Sequence, residues 1–202
     1  MHNITFDFLA QHRHGSAFHE YLHLRKQLFV DGLGWDIPHN ADVEMDQYDN
    51  PCAHYSLVVR RGKVLGGARI MPTTAVWGAH TYMLRDARRG ALHSIPSSAI
   101  PEEIVTGDVW ECSRLVVDHE ATNPADRANC LALIVEGLVD VALRHGATEL
   151  VTLTRVSLLR PLRQLGWDAS RLGEAYRSAG DGLQYAVLRM SAMRHAQQIA
   201  AE

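Results

Sequence analysis

The nine residues Val109-Trp110-Glu111-Cys112-Ser113-Arg114-Leu115-Val116-Val117 read as a core strand that carries a carboxylate and a guanidinium three positions apart. A buried charge without a partner is costly, so Glu111 and Arg114 must each be met by other groups. In a flat strand, residues three apart point to opposite faces; a bulge near Cys112–Ser113 would turn both into one cleft. Glu111 so placed is a candidate general base. The alternative is an ion pair that ties the strand to its neighbours. Arg69 poses the same question inside the apolar run Val64–Met71, with Glu111 or the carboxylates of residues 44–49 as candidate partners.

Those carboxylates lie in a run of turn formers from Trp35 to Pro51 that holds Asp36, Asp42, Glu44, Asp46 and Asp49. The run fits a plain acidic surface loop. It does not fit an EF-hand, because the aspartate spacing and glycine placement are wrong. It also fits a negative, aromatic-flanked site for a cationic small molecule. Phe29 and Trp35 would lie against an onium centre while carboxylates accept hydrogen bonds from amine or hydroxyl groups.

The elements that must position these residues follow from periodicity. Residues 1–10 predict a short first strand, and Ser16 to Asp31 a helix with Ser16 as N-cap, stopped by Gly32-Leu33-Gly34. His54–Arg60 and Val64–Met71 predict a hairpin turning at Arg61-Gly62-Lys63. Pro72 to Gly107 reads as irregular, with a short helix around Arg85–Leu92. After the central strand come a helix from Ala125 to Arg144, a strand at Glu149–Thr154, a short helix at Leu158–Leu165 and a last strand at Leu183–Met190. The tail Ala192–Glu202 reads as helical or frayed. The order predicts a mixed sheet with helices packed on it, a single α/β domain over residues 1–202.

Composition excludes several classes. The net charge of −3 comes without the basic stripe of a nucleic-acid binder. The N-terminus lacks the features of a signal peptide, and no apolar run approaches the length of a membrane span. Cys52, Cys112 and Cys130 form no CxxC and suggest a reducing, cytoplasmic setting without disulfides or a metal site. Charge is uneven: residues 1–143 hold 12 basic and 18 acidic side chains, whereas residues 144–189 hold 7 and 4. The basic stretch, which includes Arg144, Arg155, Arg160 and Arg163, reads as a solvated helix face or as a docking surface for an acidic partner.

Taken together, Arg25-x3-Phe29-x5-Trp35, Glu44-x-Asp46-x2-Asp49, Arg69 followed by Pro72-Thr73, Trp110-Glu111-x-Ser113-Arg114 and Leu165-Gly166-Trp167 resemble, in order and spacing, the acyl-homoserine-lactone synthases. These are the autoinducer synthases of bacterial quorum sensing. The resemblance implies an acyltransferase (GNAT)-like fold: one mixed, mostly antiparallel sheet with a splayed, bulged central strand and helices on both faces. It implies acyl transfer from acyl-carrier protein, or from acyl-CoA, to the amine of S-adenosylmethionine, then lactonisation with release of methylthioadenosine. S-adenosylmethionine is then a substrate, and no tightly bound cofactor or metal is expected. Glu111 is the first candidate to take the amine proton, since an apolar setting raises a carboxylate's pKa, and Glu44 is the second. Arg25, Phe29, Trp35, Asp46 and Asp49 would hold S-adenosylmethionine, and Arg69 and Arg114 would lock the acidic loop onto the sheet. Thr152 and Thr154 are candidates for the acyl pocket, against a reading as ordinary strand threonines.

CoA-using relatives carry a Gly-rich loop after the central strand. Here Asp118-His119-Glu120-Ala121-Thr122-Asn123-Pro124 has no glycine and two acids, which favours a carrier-protein donor docked on the basic 144–177 region. The chain departs from the family where Met83-Leu84 is followed by Arg85-Asp86-Ala87-Arg88-Arg89 in place of an aromatic, with Trp77 or Tyr82 as candidates to compensate. Two other readings compete: another N-acyltransferase of the same fold, such as an N-acyl amino acid synthase or an acetyltransferase, and a non-catalytic module for a cationic or acyl ligand.

Overall fold

The structure, a computed structural model, describes residues 1–194. Eight strands among the described residues belong to one mixed, mostly antiparallel sheet. The chain divides into two compact units, residues 1–71 with 114–141 and residues 72–113 with 142–202. Each crossing from one unit to the other falls inside a strand or helix rather than in a linker.

In the first unit β1 (His2–Asp7), β2 (His54–Arg60) and β3 (Lys63–Pro72) pair antiparallel, with Ile4 opposite Leu57 and Leu57 opposite Gly67. The β2–β3 hairpin closes through Arg61 and Gly62, both at positive φ (53° and 81°). That is the two-residue turn whose twist matches the strands it joins. The expected first helix is real but changes character midway. It is α-helical over α1 (Ala17–Arg25) and continues as a π-helical turn over Lys26–Gly32, which carries Phe29. Ser16 does not cap it: the hydroxyl donates instead to Glu20 Oε1, and Glu20 Oε2 accepts the backbone N–H of Val64, so this acid ties the helix to the hairpin.

Two adjacent glycines in β3 show how closely helices cover both faces of this part of the sheet. A Cβ on Gly66 would lie 2.6 Å from the carbonyl oxygen of Val116 and 3.1 Å from the sulfur of Cys130 in α3 (Pro124–Arg144). A Cβ on Gly67 would lie 2.3 Å from Leu57 and 3.1 Å from Tyr21 of α1. Neighbouring strand residues face opposite sides, so α3 covers one face and α1 the other.

In the second unit α2 (Met83–Arg88) is followed by the first half of β4 (Val109–Val117), which pairs parallel with β5 (Glu149–Arg155) from Val109↔Glu149 to Cys112↔Thr152. On its other side β5 pairs antiparallel with β8 (Gln184–Arg194) along its whole length, from Glu149↔Ser191 to Arg155↔Tyr185. The short α4 (Leu159–Gln164) ends at Gly166, φ 85°. Two strands escaped the sequence reading: β6 (Trp167–Arg171) and the two-residue β7 (Tyr176–Arg177), both paired with β8. β6 alternates buried Trp167 and Ala169 with exposed Asp168 and Ser170, but it is short, and its glycine and tryptophan read as the end of a helix. β8 also runs beyond the expected Met190 and takes in Ala192–Arg194; the remainder of the expected tail, 195–202, lies outside the described residues. No helix among the described residues is long and apolar enough to cross a membrane.

The close approach at β3 predicts that Gly66→Ala lowers unfolding free energy by about 1–3 kcal/mol, the usual cost of overpacking. The Gly66 methyl would meet backbone rather than a movable side chain. A urea melt checks this, and an unchanged midpoint would show that β3 and the residues after Ser113 are not packed this tightly.

Candidate active site

Six charged side chains of the first unit form a closed ring of alternating sign. Arg25 Nε donates to Glu44 Oε2 at 2.6 Å, and its two terminal nitrogens donate to Asp49 at 2.9 and 2.8 Å. Arg69 Nη1 donates to Asp46 Oδ1 at 2.5 Å and lies 2.9 Å from Asp49 Oδ1, while Nη2 reaches Asp46 Oδ2 at 3.2 Å. Arg114 closes the circuit, with Nη2 2.7 Å from Asp46 Oδ2 and Nε 3.3 Å from the Glu44 carboxylate. None of the six side chains is more than 10% exposed. The network brings together Arg25, Glu44, Asp46, Asp49, Arg69 and Arg114, all singled out from sequence.

Each guanidinium also lies against an aromatic ring: Arg25 over Tyr21 at 5.3 Å, Arg69 over Tyr48 at 5.6 Å and Arg114 over Phe29 at 5.5 Å. Tyr55 donates to Asp49 Oδ1 at 3.0 Å, and Tyr21 donates to the carbonyl of Arg114 at 2.8 Å. Burial pushes both phenols well above their usual pKa, so they remain hydrogen-bond donors. Phe29 in turn stacks on Trp35, centroids 4.9 Å apart and planes 16° from parallel. Phe29 is buried between these contacts, while Trp35 is partly exposed. The sequence reading missed the three tyrosines because in hydrophobic patterning they look like ordinary core residues.

Burial by itself would raise the pKa of Asp49 and Asp46. The guanidinium groups outweigh it, Arg69 and Arg25 for Asp49 and Arg69 and Arg114 for Asp46, and hold both carboxyls below the usual range. Burial likewise works against charge on Arg69 and Arg25, and the facing carboxylates more than restore it.

The backbone of β4 bends where the charges require it. Arg114 has φ 57°, a left-handed conformation rare for a residue with a side chain. The irregularity therefore falls at Arg114 rather than at Cys112–Ser113. Arg114 joins the ring of the first unit, and Glu111 has partners within the second. Glu111 is fully buried, and its Oε2 and Oε1 accept the backbone N–H groups of Met83 and Leu84 at 2.9 and 2.8 Å. These are the first two residues of α2, so the carboxylate caps that helix from a distant strand.

The other expected residues lie elsewhere in the second unit. Thr152 and Thr154 are half-buried on β5. Arg160 and Arg163 line an open cavity of about 600 Å³ with Val156, Ser157, Leu159 and Gln164. Arg163 Nε also donates to the carbonyl of Ala169, and Arg155, half-buried, hydrogen-bonds Tyr185. Arg144 is exposed at the end of α3, outside that cavity lining. No group of three or more potential metal ligands is found among the described residues.

Breaking the ring leaves buried charge uncompensated. Asp49→Asn is expected to destabilise the protein by about 3–5 kcal/mol in chemical denaturation. The pH dependence has a definite sign. The unfolded chain binds protons on these aspartates near pH 4 and the folded chain only at lower pH, so stability is full above about pH 4 and falls as the pH drops below it. Asp49→Asn should flatten that acid limb; an unaltered limb would mean that Asp49 is not held as described.

Comparison with known proteins identifies the family. The family model for autoinducer synthases matches residues 10–198. An acyl-homoserine-lactone synthase of Ralstonia solanacearum is 35% identical over 158 residues, 75% of this chain and 71% of that protein. One from Acinetobacter nosocomialis is 30% identical over 166 residues, 78% and 82% of the two chains. Among solved structures, TofI in a ternary complex with an inhibitor and MTA superposes with a TM-score of 0.73 at 26% identity, covering 100% of this chain and 96% of that one. The AHL synthase LasI gives 0.72 at 25%, covering 95% and 91%. An acyl-CoA N-acyltransferase from Pseudomonas aeruginosa shares the fold more loosely, at 0.54 and 14% identity over 94% and 97%. The chain belongs to the autoinducer synthase family.

Proposed function

We propose that residues 1–202 work as one catalytic domain, an acyl-homoserine-lactone synthase. It moves an acyl chain from a carrier-protein thioester to the amine of S-adenosylmethionine and closes the lactone with loss of methylthioadenosine. The observation that carries this reading is the buried ring of three arginines and three acids, with the Phe29–Trp35 stack built against it through Arg114.

In this mechanism the ring supports the site and does not itself grip the substrate. The polar atoms of Arg25, Asp46 and Asp49 are spent on one another and on Arg69 and Arg114. This replaces the expectation that the three residues bind S-adenosylmethionine directly. Glu44 is likewise taken up by Arg25 and Arg114. Trp35, backed by Phe29, offers an aromatic face to the sulfonium. Glu111 takes the proton of the attacking amine, directly or through one water, with its lone pairs oriented by the two α2 N–H groups. A backbone N–H at the Arg114 irregularity meets the thioester oxyanion. The second step is intramolecular: once the acylated methionyl carboxylate lies in line with the carbon attached to sulfur, displacement needs orientation rather than a further catalyst.

A carrier-protein donor is favoured by the turn after β4. The N–H groups of Glu120 and Ala121 already donate to Asp118 Oδ1 at 3.0 and 2.8 Å, and Lys63 Nζ meets Asp118 Oδ2 at 3.0 Å. A pyrophosphate would have to displace a carboxylate of the chain itself. The carrier protein is acidic, and the cavity at Arg160 and Arg163 is a basic, apolar-lined place for it to dock. Solved acyl-homoserine lactone synthases described as CoA-dependent, MesI among them, share the fold at 20% identity or less, so acyl-CoA is the alternative donor to test.

Purified protein would be incubated with S-adenosylmethionine and a panel of acyl-carrier-protein and acyl-CoA thioesters, with products followed by mass spectrometry. Acyl-homoserine lactone and methylthioadenosine in equal amounts are expected. Acylated amines without methylthioadenosine would point to an N-acyltransferase with another acceptor and sink the synthase reading. Glu111→Gln is expected to lower turnover by roughly 10²–10⁴-fold with the fold intact. Full turnover in that variant would remove Glu111 from the chemistry.

A further inference from the structure

The arginine-rich start of α2, where the chain departs from its family's pattern, has no role in the reaction as derived so far. Its side chains converge on one segment. Arg85 Nε donates to Glu103 Oε1 at 2.7 Å, and Arg89 Nη2 reaches the same oxygen at 2.8 Å. Arg88 donates to the carbonyl of Ile100. The Tyr82 hydroxyl donates to the carbonyl of Ile104 at 2.5 Å and accepts the N–H of the same residue at 3.1 Å. Thr73 makes the same two-way contact with Thr106, donating to its carbonyl at 2.8 Å and accepting its N–H at 3.1 Å. Residues 100–106 are thus strapped along α2 and the start of the loop before it, and the strap runs straight on into β4.

A six-residue helix does not hold its own shape or direction. Tyr82, at its N-cap, gives it no side-chain cap bond. Thr81 ties its start locally, donating through N–H and Oγ1 to the Asp86 carboxylate at 3.2 and 2.5 Å; what orients α2 against the sheet is the strap at its side and, at its N-terminus, the carboxylate of Glu111. The dependence is mutual, because the two N–H groups that fix both Glu111 oxygens can point no better than α2 itself. We infer that the strap 100–106 is the positioning device for the Glu111 carboxylate, with Tyr82, Arg85 and Arg88 acting on it through α2. The inference rests on the reading of Glu111 as the base. Tyr82 is the sharpest lever, since it is buried, bonds the strap in both directions and immediately precedes Met83 and Leu84.

The experiment follows methylthioadenosine release for Tyr82→Phe, Glu111→Gln and the double variant, with kcat, the KM for S-adenosylmethionine and the pH–rate profile for each. Tyr82→Phe keeps the ring and loses both strap bonds. It is expected to lower kcat about tenfold, the worth of one or two neutral hydrogen bonds, with KM within about twofold and the acid limb of the profile displaced. In the double variant the loss should be no greater than in Glu111→Gln alone, because an orienting device has nothing left to orient. Losses that multiply in the double variant, or a displaced KM with an unmoved acid limb, would overturn the inference. Glu103→Gln, at the outer edge of the strap, serves as the variant that leaves the core untouched; it should shift kcat in the same direction by a smaller factor, and no shift there counts against the strap. If Glu111→Gln itself turns over normally, the reading of the base has failed, a result distinct from failure of the strap.

Discussion

Three arginines and three acids withdrawn from water are stable only while each has its opposites on either side, and the ring in the first unit meets that condition by closing on itself. Glu44 touches Arg25 and Arg114, Asp49 touches Arg25 and Arg69, and Asp46 touches Arg69 and Arg114. An open chain of the same residues would leave a charge at each end with one neighbour too few, and the interior offers no water to make up the difference. Closure brings together residues from α1, the acidic loop, β3 and β4, and so decides where each of these must lie. It also accounts for the positive φ of Arg114: its guanidinium joins the ring while its carbonyl accepts the Tyr21 hydroxyl, and the backbone takes up the difference.

What the ring holds still extends beyond its own members. An acidic loop with five carboxylates would otherwise be solvated and mobile, and a partly exposed tryptophan beyond a π-helical turn would have no fixed orientation. Locking Asp46 and Asp49 onto Arg69 pins the loop, and the chain of contacts Arg114–Phe29–Trp35 carries that order out to an aromatic face. Glu111 is organised on the same plan in the second unit. Its two oxygens are held by backbone N–H groups of a helix too short to stand alone, and that helix is held by a strap. In both places a buried charge is satisfied by groups that are themselves fixed by something else, which is how preorganised sites are supported.

Much of this was legible in the amino-acid order. The hairpin is written in alternation around Arg61-Gly62, the long helix in the spacing of Ile134, Val135, Leu138 and Val139, and the site in the conspicuous oddity of Arg69, Glu111 and Arg114 within apolar strands. Residue type and spacing sufficed to show that these charges needed partners, and all six members of the ring were visible as candidates. β6 and β7 were less legible because a short edge strand of mixed residues after a Gly-Trp carries little periodic signal, and the tyrosines around the ring were hidden by the same apolar patterning that marks any core.

What the sequence determined by itself was therefore the inventory: a mixed α/β chain, a surplus of charge in core positions, and the chemical classes able to use it. Only the tertiary structure decided who pairs with whom. Asp46 and Asp49 could as well have faced a substrate as faced Arg69, and Glu111 could have met a guanidinium rather than the N–H groups of Met83 and Leu84. Local propensity cannot choose between such partners, because the choice depends on contacts between residues 19 to 70 positions apart in the chain, made once the helix and loop are packed on the sheet. The physical reason is that ion pairing in a core is a condition of closure over the whole set, and no single position along the chain carries it.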